Sequence, residues 1–509
     1  MTEVSHATLW FDVEDLFHHA RTGVRPSGIQ RAGFEIYRAL QQRDGAPLRV
    51  RFLRHIENGT GFAPVSWDAL DALFASISHA AVAAPAVVSK AEATCPSPPP
   101  HGEARGGRQV LRRVAEWLPS RLRRPLVLAV VLQLQCGVAL LRLVTGLVVT
   151  LGWSLRHVVR SAVARLRPRG TRAPQPADGP FVRLARPGDT LVVLGSPWFH
   201  EDYGAVVRRL RDQLGLRVAI LVHDVIPLRR PEWCDYGTVR TFRAWHAAVL
   251  PLCDVVFTNS QATAADLREL APAIGVSLPV APHPVPFGTG FGAPVATPDR
   301  AADEDLPVPG SYVLVVATIE ARKNHALMVR VWRRLLETMP PHQVPTLVFA
   351  GGVGWLVADL MQQLENSDWL GGRIRLIRHP SDAALRTLYR GCLFTVFPSF
   401  YEGWGLPVSE SLAFGKPCLA ARTTSLPEVG GSLARYFDPA ELDDATDAIG
   451  DMIRDPAELA EWEAQVIREF RPVAWTVTAD AILQALAPKS DGPPGAADAP
   501  RDLVRSLDR

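Results

Sequence analysis

Cysteine is scarce in this 509-residue chain. The six residues Cys95, Cys136, Cys234, Cys253, Cys392 and Cys418 lie far apart, with no C-x-x-C pair and no histidine at zinc-finger spacing. That spacing excludes a disulfide framework and a structural zinc site, and it points to a reducing compartment. Lysine is scarcer still, with only Lys90, Lys323, Lys416 and Lys489. The opening MTEVSHATLWFDVEDLF carries acid where a secretory leader has a basic and then an apolar run, so export is not expected. Positive charge is not spread over the chain either. Residues 101–175 hold fourteen arginines against two glutamates, a local +12 that leaves −9 for the rest of a chain whose total is +3. A nucleic-acid binder would distribute its basicity over its folded domains, and no such motif is present.

What the sequence has in abundance is alternation. From residue 311 onward, short apolar runs such as SYVLVVAT (311–318), PTLVFAG (345–351), RIRLIRH (373–379), LFTVFPS (393–399) and PCLAA (417–421) take turns with helix-period segments. Runs that are continuously apolar rather than alternating predict strands covered on both faces, hence a parallel sheet with helical crossovers. The first 290 residues repeat the pattern with TLWFDV (8–13), LRVRFLRH (48–55), DTLVVLGS (189–196), RVAILVHDV (217–225) and DVVFTNS (254–260). The expected class is therefore α/β. It comprises a Rossmann-like domain over 1–290, a Pro/Gly/Asp-rich linker at 291–310, a second Rossmann-like domain over 311–470, a helix at 471–488 and a disordered tail at 489–509.

Residues 80–185 break the alternation. Low-complexity flanks at 93–107 and 167–180 frame an apolar stretch, 123–160, in which Arg142 is the only charge between Pro125 and Leu155. Apolar residues on every face of a helix are buried or lie in lipid. Two readings remain open: an insertion that lies on or dips into an anionic inner leaflet through 108–169, or a helical hairpin packed on the N-terminal domain.

The densest chemical signal is FPSFYEGWGLPVSESLAFGKP (397–417). A strand delivers the chain to the carboxyl end of a parallel sheet, Gly403 and Gly405 admit close backbone approach, and the next helix begins near Leu406 with free N–H groups. That combination suits an anion. Glu402 in the loop and Glu410 about one turn into the helix are the wrong sign for phosphate but suit sugar hydroxyls, so the ligand carries both phosphate and sugar. In VVATIEARKNHALMV (315–329), Arg322 and Lys323 end a second strand-to-helix loop, where they can neutralise a departing diphosphate or merely form a surface pair. His223 and Asp224 leave a buried strand in LVHDVIPL; Ser27 and Gln30 form a capping box beside Gly28 in RPSGIQRAGFEIYRAL.

These segments resemble the retaining GT-B glycosyltransferases of the family 4 type, the glycosyl transferases group 1, whose E-x7-E motif matches through Glu402, Gly403, Gly405, Pro407, Glu410, Gly415, Lys416 and Pro417. The resemblance covers about residues 8–55 and 186–475. It implies two Rossmann-like domains around a cleft, with the donor nucleotide-sugar held by the C-terminal one and the acceptor by the other. Glu402 is then expected at the donor sugar and Glu410 at the nucleotide ribose. Arg322 and Lys323 would lie at the diphosphate, and His223 near the sugar or as a structural hydrogen-bonder. Gly403, Trp404, Gly405, Leu406 and Gly28 are expected to line the donor. The phosphate loop departs from the family in having Ala321 where proline is usual and no arginine at its start. Glu428 in TTSLPEVGG (423–431) is a further donor-side candidate or a first-turn helix charge, and Ser260 is an acceptor-cleft residue or an N-cap.

The expected function is transfer of a sugar, mannose-like in our reading, from a nucleotide-sugar to a glycan or lipid-linked acceptor in surface polysaccharide assembly. Neither a cofactor nor a metal is expected, and no D-x-D element stands at a strand end of the C-terminal half. The expected place is the cytoplasm, peripheral on the inner face of the membrane, with no nucleic-acid partner. A sugar-nucleotide epimerase of the same architecture and a non-catalytic sugar-nucleotide-binding or membrane scaffold module are the alternatives.

Overall fold

The computed structural model describes residues 7–22, 27–43, 48–56, 61–79, 180–200, 202–290 and 305–487. The segment proposed for lipid contact (108–169), the insertion as far as 179, most of the linker and the tail at 489–509 lie outside the described residues. By its contacts the chain divides into one unit of residues 1–85 with 177–509 and another of residues 86–176. Among the described residues, no helix is long and apolar enough to cross a membrane.

Seven strands form the N-terminal sheet: β1 (Thr8–Asp12), β2 (Arg49–His55), β3 (Phe62–Val65), β4 (Thr190–Val193), β5 (Arg217–Val222), β6 (Val255–Thr258) and β7 (His283–Pro284). Their order is β3-β2-β1-β4-β5-β6-β7, parallel except for the antiparallel β2–β3 edge. The C-terminal sheet comprises β8 (Tyr312–Val316), β9 (Thr346–Ala350), β10 (Ile374–Ile377), β11 (Thr395–Phe397), β12 (Cys418–Ala421) and β13 (Arg435–Phe437). It is wholly parallel in the order β10-β9-β8-β11-β12-β13. Two doubly wound domains are what the GT-B resemblance implies.

Burial on both faces explains the continuous apolar runs. Leu9 and Phe11 of β1, Val192 of β4, and Ala219 and Leu221 of β5 enter one core, which also holds the helix Gly28–Gln41. Their neighbours Trp10, Leu191, Val193, Val218, Ile220 and Val222 enter the opposite core. In β8 the same period of two sends Val313 and Val315 one way and Tyr312 and Leu314 the other. An alternating polar position has no place in such a strand.

Two details differ from the sequence expectation. Phe181, placed in the insertion by its sequence context, is fully buried in the N-terminal core, edge-on to Trp10 with centroids 5.0 Å apart. The strand β3 and the helix Trp67–His79 extend the N-terminal domain beyond β2, where no motif had marked them. The helix Trp475–Leu486 returns to the N-terminal domain and contributes Trp475, Ala479, Ile482 and Leu486 to its core. Gly288 makes room for it, since a Cβ there would sit 2.2 Å from the Trp475 ring.

In each sheet the strand order reverses beside the first strand: between β1 and β4 in one, between β8 and β11 in the other. Ligands of open α/β sheets bind outside the carboxyl ends at that reversal. Because the last helix closes the N-terminal core, Ile482→Ala is expected to lower unfolding free energy by about 2–5 kcal/mol in urea titrations. A loss under 1 kcal/mol would show that the helix is peripheral to that core.

Candidate functional site

The C-terminal reversal brings two loops together. The first runs from β8 through the turn Ala321–Lys323 to the helix His325–Thr338; the second runs from β11 to the helix Leu406–Ala413. Asn324 joins them to the sheet from a left-handed backbone (φ 56°), its amide donating to Pro398 O at 3.2 Å and Pro439 O at 3.0 Å. The Phe400 N–H donates to Arg322 O at 3.0 Å, fastening loop to loop.

Glu402 sits where they meet, 8% exposed. One of its oxygens is 2.6 Å from Lys323 Nζ and the other 2.8 Å from Arg322 Nη1. Arg322 also donates to Tyr401 O and to Glu320, each at 2.6 Å. Burial alone would raise the Glu402 carboxyl, but the Arg322 and Lys323 charges outweigh it and bring it down to about 2. Burial, seconded by Arg322, lowers the Lys323 ammonium from its ordinary value against the pull of Glu402. The Lys323 Nζ also lies 5.0 Å from the centroid of the Phe397 ring. Thr424 accepts the Glu402 N–H at 3.0 Å, and Ser425 Oγ donates to Glu402 O at 3.1 Å and Trp404 O at 2.8 Å. These hydroxyls fix the loop that carries the carboxylate.

Glu410, also buried, is not part of that ion cluster. Its carboxylate accepts from Tyr389 Oη at 2.7 Å, and burial pushes its protonation upward. Arg31 of the N-terminal domain is within electrostatic reach of it and spans the domains to Asp382 at 2.6 Å. The two glutamates of the motif therefore have different partners: one holds cations, the other a phenol.

The second loop also rests directly on the N-terminal domain. A Cβ at Gly403 would lie 2.0 Å from His223 O and 2.9 Å from Asp224 Cβ, so only glycine permits this approach. Thr263 Oγ1 donates to Gly403 O at 3.2 Å and, less closely, to His223 O at 3.4 Å. Trp404 packs on Phe287 with ring centroids 5.7 Å apart, and Leu406 lies 3.5 Å from where a Gly28 Cβ would be. Gly405 starts the helix at φ 108°, a conformation that again requires glycine. His223 is buried, its Nε2 2.7 Å from Leu194 O, and burial lowers its pKa to about 4, so the ring is neutral near pH 7. Asp224 is within electrostatic reach of Arg322 and Lys323.

Gln30 accepts from the Ser27 N–H at 3.2 Å, as a capping box requires, and donates from Nε2 to Ser196 Oγ at 3.1 Å. Ser260 is the N-cap of the helix Gln261–Ala273, accepting from Thr263 N at 2.9 Å. Glu428 crosses from the C-terminal domain to that same helix end and accepts from Gln261 N at 2.8 and 3.0 Å. Neither of its sequence readings included this bond between domains.

A polar cluster at the N-terminal reversal carried no motif. Asp12, at the end of β1, accepts from Tyr203 Oη at 2.6 Å and pairs with His55 Nε2 at 2.9 Å. Asp15 is buried beside it, reached by the Ser196 N–H at 3.4 Å, while its Oδ1 has no hydrogen-bond partner. Gly195 makes room for it: a Cβ there would sit 2.3 Å from the Asp15 carboxyl. Burial, then the Asp12 charge, raises Asp15 to about 7. Acid directly after an apolar strand, in FDVED, was the available signal.

A family comparison falls on the C-terminal half of the chain. Residues 299–468 match the family model described as Glycosyl transferases group 1. The chain is 35% identical over 133 residues to the O-antigen chain mannosyltransferase B of Escherichia coli, covering 26% of this chain and 34% of the relative. It is 26% identical over 253 residues to the serotype-specific mannosyltransferase WbdA of Escherichia coli, covering 46% and 29%. It thus spans only about a third of the length of these relatives. Among solved structures, an alpha,alpha-trehalose-phosphate synthase (UDP-forming) from Burkholderia xenovorans in complex with glucose-6-phosphate aligns at TM-score 0.46 and 15% identity, covering 60% of this chain and 75% of that one.

Since Asp15 binds its proton more tightly in the folded chain than its ordinary 3.8, the stability it permits is present at low pH and is lost as pH rises toward 7. Asp15→Asn should therefore gain stability over the unsubstituted chain between pH 5 and pH 8, on the order of 2 kcal/mol. A difference in melting temperature that stays constant over that range would contradict the raised pKa.

Proposed function

We propose, from the match of residues 299–468 to the family model described as Glycosyl transferases group 1, that the chain is a retaining glycosyltransferase. It moves a hexose from a nucleoside diphosphate-sugar to a glycan or lipid-linked acceptor in surface polysaccharide assembly. The observation that carries the reading is the pairing of Arg322 and Lys323 with Glu402 at the sheet reversal. Breaking the bond between sugar and diphosphate leaves extra negative charge on the leaving oxygen, and two preorganised cations in a buried site stabilise it. Side-chain cations and the N-terminus of the helix Leu406–Ala413 take the part that a divalent ion plays elsewhere.

The acceptor hydroxyl attacks the anomeric carbon on the face from which the diphosphate leaves. The new C–O bond forms as the sugar–phosphate bond breaks, and the hydroxyl proton passes to a phosphate oxygen. Two observations support that route for the proton. Glu402, held near pKa 2 by its cations, is a weak base, and His223, neutral with Nε2 against Leu194 O, is placed to orient rather than to shuttle charge. Glu402 then reads a donor-sugar hydroxyl and Glu410 the ribose. The acceptor approaches from the N-terminal reversal, where Asp15, Gln30 and Ser196 converge. The mannosyltransferases among the relatives favour mannose as the sugar moved.

The test is turnover of purified full-length protein with GDP- and UDP-hexoses and an oligosaccharide acceptor. Lys323→Ala and Glu402→Gln are each expected to lower transfer at least 100-fold while circular dichroism still reports a folded chain; near-normal turnover in both would remove the assignment. An epimer formed from donor alone would instead identify an epimerase.

A further inference from the structure

The rim between the two domains is lined with aromatic side chains. Trp355 is 50% exposed and Leu356 beside it 60%, while Tyr236, three residues beyond Trp233 in the chain, is 82% exposed. Adjacent exposed apolar residues mark a contact surface where single ones need no explanation. Trp355, in the loop after β9 of the C-terminal domain, donates its indole N–H to Trp233 O of the N-terminal domain at 2.8 Å. The Trp233 ring stacks on Phe400 of the C-terminal domain, with centroids 5.6 Å apart and planes 12° from parallel, while the Arg230 guanidinium lies 4.7 Å from the Trp233 centroid. The rim therefore draws on both sheets.

It also adjoins the ion cluster. Phe400 is two residues from Glu402 and bonded through its N–H to Arg322 O, and Cys234, next to Trp233, is within electrostatic reach of Asp224, Arg322 and Glu320. Leu356 is held in the left-handed region at φ 58°, a strained backbone for a branched residue and one that clusters at functional sites.

We propose that this rim is a subsite for the acceptor's carbohydrate chain, in which sugar rings removed from the reacting hydroxyl lay their C–H faces on Trp355 and Tyr236. The inference rests on the transferase reading and adds the substrate class that the cleft mouth takes. Charged groups are interleaved with the rings: Arg230 pairs with Glu232 at 3.5 Å, and the exposed Asp235 caps the helix beginning at Tyr236. A sugar ring offers apolar faces to the aromatics and hydroxyls to these charges of both signs. The Trp355–Trp233 bond also makes the subsite complete only when the domains meet, which couples acceptor binding to closure.

The experiment measures acceptor and donor KM for Trp355→Ala, Trp355→Phe and Tyr236→Ala in the full chain, with acceptors from one to about six sugars. For Trp355→Ala and Tyr236→Ala, acceptor KM should rise at least fivefold for the longer acceptors and less than twofold for the monosaccharide, with donor KM unchanged; Trp355→Phe, which keeps a ring but loses the bond to Trp233 O, should restore part of the loss. Acceptor KM within twofold at every length overturns the subsite. So does a rise that is equal for all acceptor lengths and for donor, which would mean a collapsed cleft. If the unsubstituted protein binds donor but transfers to no acceptor, the transferase reading itself falls.

Discussion

A buried carboxylate that holds two cations is the constraint on which the remaining structure depends. With Glu320, which also pairs with Arg322, the group of Glu402, Arg322 and Lys323 holds two cations and two carboxylates almost out of solvent, and removing any one leaves an uncompensated charge that costs roughly 3–5 kcal/mol. Hydroxyls of Thr424 and Ser425, the amide of Asn324 and a backbone bond from Phe400 to Arg322 hold the loops that carry them. Such an arrangement is stable without a ligand because each charge already has a counter-charge. In the proposed reaction the two cations share an incoming diphosphate with the carboxylate, so Glu402 stays ionised and accepts from a sugar hydroxyl through its remaining lone pairs.

The other domain enters through close contact more than through charge. Gly403 on His223 O, Leu406 on Gly28 and Trp404 on Phe287 press the carboxylate loop against the ends of β5 and the helix Gly28–Gln41. Polar ties then fix the relation: Glu428 to the Gln261 N–H, Tyr401 Oη to Asp266, and Arg31 to Asp382. The two sheet reversals are thereby held to one another, the buried Asp12 and Asp15 at one and the cation pair at the other.

Much of this was legible from residue order because parallel sheets advertise themselves: a strand buried on both faces reads as an unbroken apolar run, and a Gly-rich loop after it marks the carboxyl end. Glu402, Arg322, Lys323 and Gly403 were found that way, and the structure brings them together. What remained hidden depends on side chains distant in sequence. Asp15 gains its meaning from Gly195, 180 positions away, and Glu428 from the amide of Gln261 in the opposite domain. No local pattern encodes either relation. Phe181 was misplaced for a similar reason, since a low-complexity neighbourhood conceals one aromatic residue whose ring partners, Trp10 and Phe62, lie far earlier in the chain.

The central claim is that Lys323, within the Glu402 cluster, receives the diphosphate of the donor. The direct measurement is calorimetric titration of GDP and UDP into the full chain, its Lys323→Ala variant, and a Lys416→Ala variant whose ammonium pairs with Glu463 at 2.6 Å instead. The account predicts that whichever nucleotide binds loses at least tenfold in affinity with Lys323→Ala and under twofold with Lys416→Ala. Equal affinity in all three proteins would contradict it.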